Sequence, residues 1–235
     1  MISFALLLGA AMMIIVAQEN FNEGHQKVAT VRMDDIQDFW MADTQIRIME
    51  IHLEYRVPIS IAIIAGKFGA DPKVVAVVKK LLDEKLGEVL NHSWGTEGMS
   101  GVPYERQEEL MRAANHKLSH ILGVEPEIFI PPKWSHDEAT ITACKELDMR
   151  CITRYEFSVL VPEWDNKAQS WKKFNADNAI RRIEDAYNAY GKVDVYIHFQ
   201  GIHDLRGYEK MIKYLSENYR VIMLSEFDRE IAQGN

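Results

Sequence analysis

The chain has 235 residues, 47% hydrophobic and 26% charged, which is enough apolar content for a buried core and argues against disorder. Its formal net charge of −8 comes from acids scattered along the whole sequence, so it offers no basic face to nucleic acid or anionic lipid. The two cysteines, Cys144 and Cys151, are seven positions apart and outside any CxxC spacing, which excludes a zinc ribbon or a disulfide-dense scaffold and leaves packed thiols.

The first segment, MISFALLLGAAMMIIVAQENFNEG, is apolar from Met1 to Ala17 and then polar, the profile of an export leader. No Lys or Arg precedes the apolar run, and Ile15 is large for its place before a cut after Ala17. A short membrane anchor, at the lower end of the spanning range of about 17–25 residues, and a buried first helix are the competing readings. Residues 1–24 are therefore assigned as a signal peptide or short anchor plus linker, and residues 25–235 as one domain. The corresponding location is secreted or cell-surface, or cytoplasmic if the segment is no signal. No stable membrane insertion is expected after leader removal.

From there strand and helix patterns alternate over short connections. Val28–Asp35 is predicted as a strand, and Thr44–Tyr55 as a helix with Ile46, Met49 and Leu53 on one stripe. VPISIAIIAGKF is a buried strand. Pro72 opens a helix capped by Asp71 and stopped before Gly87. EVLNHS is the third strand, and PYERQEELMRAANHKLSHILG a long helix with Leu110, Ala114, Leu118 and Ile121 inward. EIFIPPK follows as the fourth strand, then a helix capped by Ser135 with Glu138 at capping-box spacing, then the strand RCITRYEF. NADNAIRRIEDAYNAYG, VDVYIHF, GYEKMIKYLSENY and RVIMLSEF repeat helix and strand to the end. Such alternation without a long antiparallel run predicts an α/β fold with a mostly parallel sheet, closed or nearly closed into a barrel.

Parallel α/β folds bind ligands at the carboxyl ends of their strands. The chemistry-bearing residues at those ends are Asp34 and Asp35, then His92, then Pro131–Trp134, then His198. Neighbouring strand residues point to opposite faces, but where the strand turns at its end both carboxylates can approach one centre.

Four stretches carry a family likeness. RMDD resembles the paired-aspartate first motif of the polysaccharide deacetylase family, the NodB-homology carbohydrate esterases. NHSWGTE resembles its His-Ser/Thr-x-x-His second motif, FIPPKW its proline-bearing third motif, and VYIHF its late histidine segment; the closing YLSENYRVIMLSEF also looks like the family's last helix and strand, so the likeness runs from Val28 to about Phe227. The resemblance implies a distorted (β/α)7 TIM-like barrel and metal-dependent removal of N- or O-linked acetyl groups from a carbohydrate. It implies a divalent metal, zinc first, with cobalt, manganese and nickel as alternatives. It further implies Asp34 as catalytic base, Asp35 and His92 as metal ligands, and His198 as general acid. Trp94, Pro131 and Trp134, within motif segments, are the substrate-binding candidates, since indole faces stack on sugars as readily as they pack in cores.

Two positions depart from the family pattern. The second histidine of the second motif is replaced by Thr96, a poor zinc ligand, so Glu97 is the nearest substitute and His203 another candidate from across the rim. Ile130 stands where many members carry an arginine that orients the base. A non-catalytic carbohydrate-binding barrel without a complete metal site is therefore the alternative function. A two-carboxylate glycosidase is disfavoured, because its acids stand about 5–9.5 Å apart and generally come from different strands. Read without the resemblance, DD after a strand is a solvated turn or cap, a reading that suits Asp38 best, and His25, His52, His116, His120 and His136 receive no role.

Overall fold

The computed structural model describes residues 27–233. The proposed leader lies outside them, and among the described residues no helix is long and apolar enough to cross a membrane.

Among the described residues ten strands and seven α-helices follow one another: β1 (Lys27–Ile36), α1 (Ala42–Tyr55), β2 (Ile59–Ile63), α2 (Pro72–Asp83), β3 (Gly87–Asn91), α3 (Tyr104–Leu122), β4 (Ile128–Phe129), α4 (Glu138–Glu146), β5 (Arg150–Cys151), β6 (Ser158–Val161), β7 (Trp164–Asp165), β8 (Ser170–Trp171), α5 (Ala176–Tyr190), β9 (Lys192–His198), α6 (Leu205–Asn218), β10 (Tyr219–Ile222) and α7 (Leu224–Ala232). Eight strands form one parallel sheet in the order β5-β4-β3-β2-β1-β9-β6, with β10 joined to the first half of β1. β7 and β8 form a separate antiparallel hairpin. The sheet curls with helices alternating outside it, as the distorted (β/α)7 barrel requires.

β1 is central and buried on both faces. Ala29, Val31 and Met33 join the large apolar cluster that includes Ile48 and Met49 of α1 and Met211 and Ile212 of α6. The other face, offset by one residue, carries Thr30, Arg32 and Asp34, all buried. A second cluster, with Ala62, Leu90, Ile130, Ile152 and Ile222, fills the inside of the curl, and Leu224 and Phe227 of α7 belong to it. The start of α7 is tied beneath the strands, with Leu224 N donating to Ser60 Oγ (2.9 Å) and Ser225 N to Glu88 Oε1 (3.0 Å). These acceptors satisfy amides that have no partner within a helix's first turn.

Several local expectations need correction. α4 is capped by Asp137, not Ser135: its carboxylate accepts from Thr140 N while Thr140 Oγ1 accepts from Asp137 N, so the capping box lies two residues later. The inward stripe of α3 is Gln107, Met111, Ala114, Asn115, Leu118 and Leu122, with Leu110 and Ile121 half-buried beside it, because the inner polar residues bond to the core. Asn91 Nδ2, for example, donates to Asn115 Oδ1 (2.6 Å). RVIMLSEF is a strand only to Ile222 and turns helical at Leu224. Cys144 and Cys151 are free thiols, as expected, and both pack in the cluster between α3, α4 and β4.

Candidate active site

The paired aspartates act at an irregularity in the sheet. The register of β1 against β2 slips between Met33 and Ile36, and Asp35 there adopts φ 67°. Aspartate tolerates this left-handed conformation better than most residues. The slip breaks the strict alternation of sides, so Asp34, on the inner face, and Asp35, next in sequence, both line one cavity of about 210 Å³. Ser93, Lys133 and Trp134, on the loops after β3 and β4, also have positive φ. For tryptophan this is a rare and strained state, and such strain gathers at functional rims.

Each histidine is set by its strand. His92 follows β3 and is buried; its Nδ1 lies 2.8 Å from Ile130 O, a carbonyl that can only accept, so Nδ1 carries the proton. In the neutral ring Nε2 then has its lone pair free, 3.4 Å from Asp35 Oδ1. His198 ends β9 in register with Asp34, and its Nε2 is 3.6 Å from Asp35 Oδ2. Gln200 Nε2 donates to the same Oδ2 at 3.0 Å. Trp171 of β8 stacks on the His198 ring, with centroids 4.9 Å apart. That approach needs Gly201, since a Cβ there would collide with Pro162 and come within 2.9 Å of Trp171.

The site's electrostatics follow from burial against mutual attraction. Burial alone would raise the Asp35 pKa, but His92, His198 and Gln200 outweigh it and hold it at about 2. Burial opposes the His92 cation, yet Asp35 and Asp34 win and its pKa is raised. At His198 burial prevails over both aspartates and the pKa is lowered.

Of the residues expected from sequence, Asp34, Asp35, His92, His198, Pro131 and Trp134 all line this cavity. Glu97 and Trp94 do not. Glu97 is exposed with its carboxylate beside Gly95, whereas Thr96 lines the cavity. The segment after His92 has no helical turn, so helical spacing does not govern which side chain points in. Trp94 is exposed, with Lys117 Nζ 5.3 Å from its ring. His203 is exposed, and Asp38 accepts from Ala70 N as a loop tie. Unforeseen members are Gln37 and Trp40 in the cavity wall, Gln200 behind it and Arg32 beneath it, while Lys133, inside the Pro131–Trp134 stretch, lines the wall and Trp171 stands behind His198. Only Arg32 left a signal, two residues before Asp34 and hence on the same face of the strand. A neighbouring cavity of about 710 Å³ shares Lys133, Trp134 and His198 and adds Trp164 and Trp171.

The donor set can be compared with a divalent ion. Two ligands each about 2.1 Å from a tetrahedral ion stand about 3.4 Å apart, and Asp35 Oδ1 and His92 Nε2 are 3.4 Å apart. A carboxylate and an imidazole nitrogen with a free lone pair suit zinc and its transition-metal relatives. Among the described residues no group of three His, Cys, Asp or Glu side chains is gathered for an ion. The residues therefore fit an open site with two protein ligands, with the Thr96 hydroxyl at the third family position.

The sequence profile described as polysaccharide deacetylase matches residues 22–152, more than half of the chain, including Asp34, Asp35 and His92. No curated protein sequence matches. Among solved structures the fold is similar to the peptidoglycan deacetylase PdaC from Bacillus subtilis, with TM-score 0.68 and 18% identity over 89% of this chain and 93% of that one. It is also similar to a family 4 acetyl xylan esterase from Clostridium thermocellum in complex with a cobalt ion, with TM-score 0.66 and 15% identity over 85% and 89%. A third similar structure is BA3943, a CE4 family pseudoenzyme from Bacillus anthracis, with TM-score 0.66 and 16% identity over 86% of this chain and 65% of that one.

Proposed function

The chain belongs to the polysaccharide deacetylase family, and on that premise we propose that it is a metal-dependent hydrolase removing N- or O-linked acetyl groups from a carbohydrate. The observation that carries the reading is the meeting of Asp34, Asp35, His92 and His198 around one cavity at the carboxyl ends of β1, β3 and β9. Asp35 and His92 would hold a divalent ion, zinc first and cobalt, manganese or nickel after it, which when bound acidifies water and polarises the acetyl carbonyl.

The remaining steps belong to the chain. Asp34, with one oxygen occupied by Arg32, accepts the proton of the attacking water. His198 faces the same cavity and protonates the departing nitrogen or oxygen, which is a poor leaving group as an anion. Burial lowers its pKa, so the protonated ring gives up its proton readily. Trp134, and Trp164 and Trp171 in the adjoining cavity, supply apolar faces for sugar rings. The similar structures include an acetyl xylan esterase and a peptidoglycan deacetylase, so both ester and amide substrates belong in the assay. The apolar segment Met1–Ala17 serves as an export leader, and the domain works outside the cytoplasm on such polymers.

The test is acetate release from N-acetylated glycan oligomers and from acetylated xylan, with metal removed and with zinc or cobalt restored. Release that requires the metal supports the reading. No release under any condition, with the glycans still bound, would leave the carbohydrate-binding barrel.

A further inference from the structure

We infer that Arg32 is the positioning residue for the Asp34 carboxylate, supplied from the same strand two residues earlier. The inference rests on the role proposed above for Asp34. Thr30, Arg32 and Asp34 form the inner column of β1, and parallel register sets Asp194, Tyr196 and His198 of β9 beside them. Arg32 thus lies one layer beneath the pair Asp34 and His198. It is 0% exposed and Asp34 2%, with Arg32 Nε 2.9 Å from Asp34 Oδ1. The guanidinium lies against two rings, its Cζ 4.7 Å from the Trp134 centroid and 5.3 Å from that of Tyr196.

Arg32 is the counter-charge of two buried carboxylates, Asp34 and Asp194, but its hydrogen bonding is poor. Its Nη1 and Nη2 are buried without a hydrogen-bond partner, and Nε, although close to Asp34, does not meet hydrogen-bond geometry. Guanidinium hydrogens left unbonded cost stability, so hydrogen bonding is not what fixes the group at this position. What the position does provide is direction. Asp34 Oδ1 is buried with no hydrogen bond and faces the guanidinium, so Oδ2 is the oxygen left toward the cavity that Asp34 lines. A guanidinium packed against two rings that themselves meet edge to face gives the carboxylate a fixed partner and little room to swing, and catalytic efficiency falls steeply when a reacting group is misplaced. The arrangement also accounts for the apolar residue just after β4: Ile130 sits in the inner cluster with Trp134, the ring against which the guanidinium from β1 packs.

The test compares wild type, Arg32→Met and the double variant Arg32→Met/Ile130→Arg, which moves the arginine to the neighbouring inner position. Arg32→Met should lower Tm, because the buried carboxylates of Asp34 and Asp194 lose their counter-charge, while keeping zinc affinity and KM within about threefold and lowering kcat for acetate release by about 30-fold or more. The double variant should recover at least tenfold of that loss, which a role in filling space would not predict. Crystal structures give the arm independent of activity: the Asp34 carboxylate should rotate or split in Arg32→Met and return in the double variant. Wild-type kcat in Arg32→Met, or an Asp34 carboxylate unmoved in its structure, would overturn the inference. A wild type that releases no acetate would instead refute the deacetylase reading, and the structures alone would then decide the positioning role.

Discussion

His52 should make the protein acid-sensitive through one buried ring. It lies in α1, fully buried, with Nδ1 2.9 Å from Val57 O and Nε2 2.8 Å from the Tyr208 hydroxyl of α6. The carbonyl requires the proton on Nδ1, so Nε2 accepts from the tyrosine, and both bonds suit the neutral ring. Burial pushes the pKa from 6.5 to about 4, with the Val57 and Pro58 carbonyls pulling weakly the other way. Between those values the unfolded chain binds the proton and the folded one does not, so stability rises with pH across the window. The contribution is whole above 6.5 and is lost as pH falls through about 4. At about 1.36 kcal/mol for each pH unit this amounts to about 3 kcal/mol, a large part of a typical total of about 5–15 kcal/mol. α1 follows the strand bearing Asp34 and α6 follows the strand bearing His198, so the bond ties the layer beneath the site. Urea unfolding of wild type and His52→Gln at steps from pH 7.5 to 4 isolates the effect, because the carboxylates common to both cancel. Wild type should lose about 3 kcal/mol more than the variant over that range. Parallel curves would refute the reasoning.

Asp34→Asn should lower kcat by about 10²–10⁴ while leaving zinc affinity unchanged, since it removes the base and no ligand; steady-state kinetics and metal titration read the two separately. Thr96→His should tighten zinc by about tenfold or more, because Thr96 lines the cavity, whereas Glu97→Gln should change nothing, because Glu97 faces away. Calorimetric titration of both variants at one pH checks this, and a loss of affinity in Glu97→Gln would return that residue to the metal site. Trp171→Ala should raise KM for oligomers more than for monomers and leave zinc affinity alone, because the ring lines the adjoining cavity and stacks on His198 without reaching Asp35 or His92 in the cavity wall.

Much of the fold was legible because its signals are local. The switch between periods of two and 3.6 marked strands and helices, and Asp71, whose carboxylate accepts from Lys73 N and Val74 N, marked the start of α2. The short motifs placed Asp34, Asp35, His92 and His198 at strand ends of a parallel sheet, where such sheets bind ligands. Other features were not local. Whether Asp35 shares a cavity with Asp34 depends on a register slip against β2, and its closeness to His198, 163 positions on, depends on β9 pairing beside β1. The β7–β8 hairpin that brings Trp171 to His198 has no periodic signature, since each strand is two residues long. Thr96 rather than Glu97 faces the cavity because the loop after His92 takes its path from packing, not from a helical repeat. Sequence periodicity specifies which face of an element is buried; which side chains then meet is set by strand register and the curl of the sheet, sums over contacts distant in the chain, and that is why Arg32, in plain view beside RMDD's aspartates, showed its partner only in three dimensions.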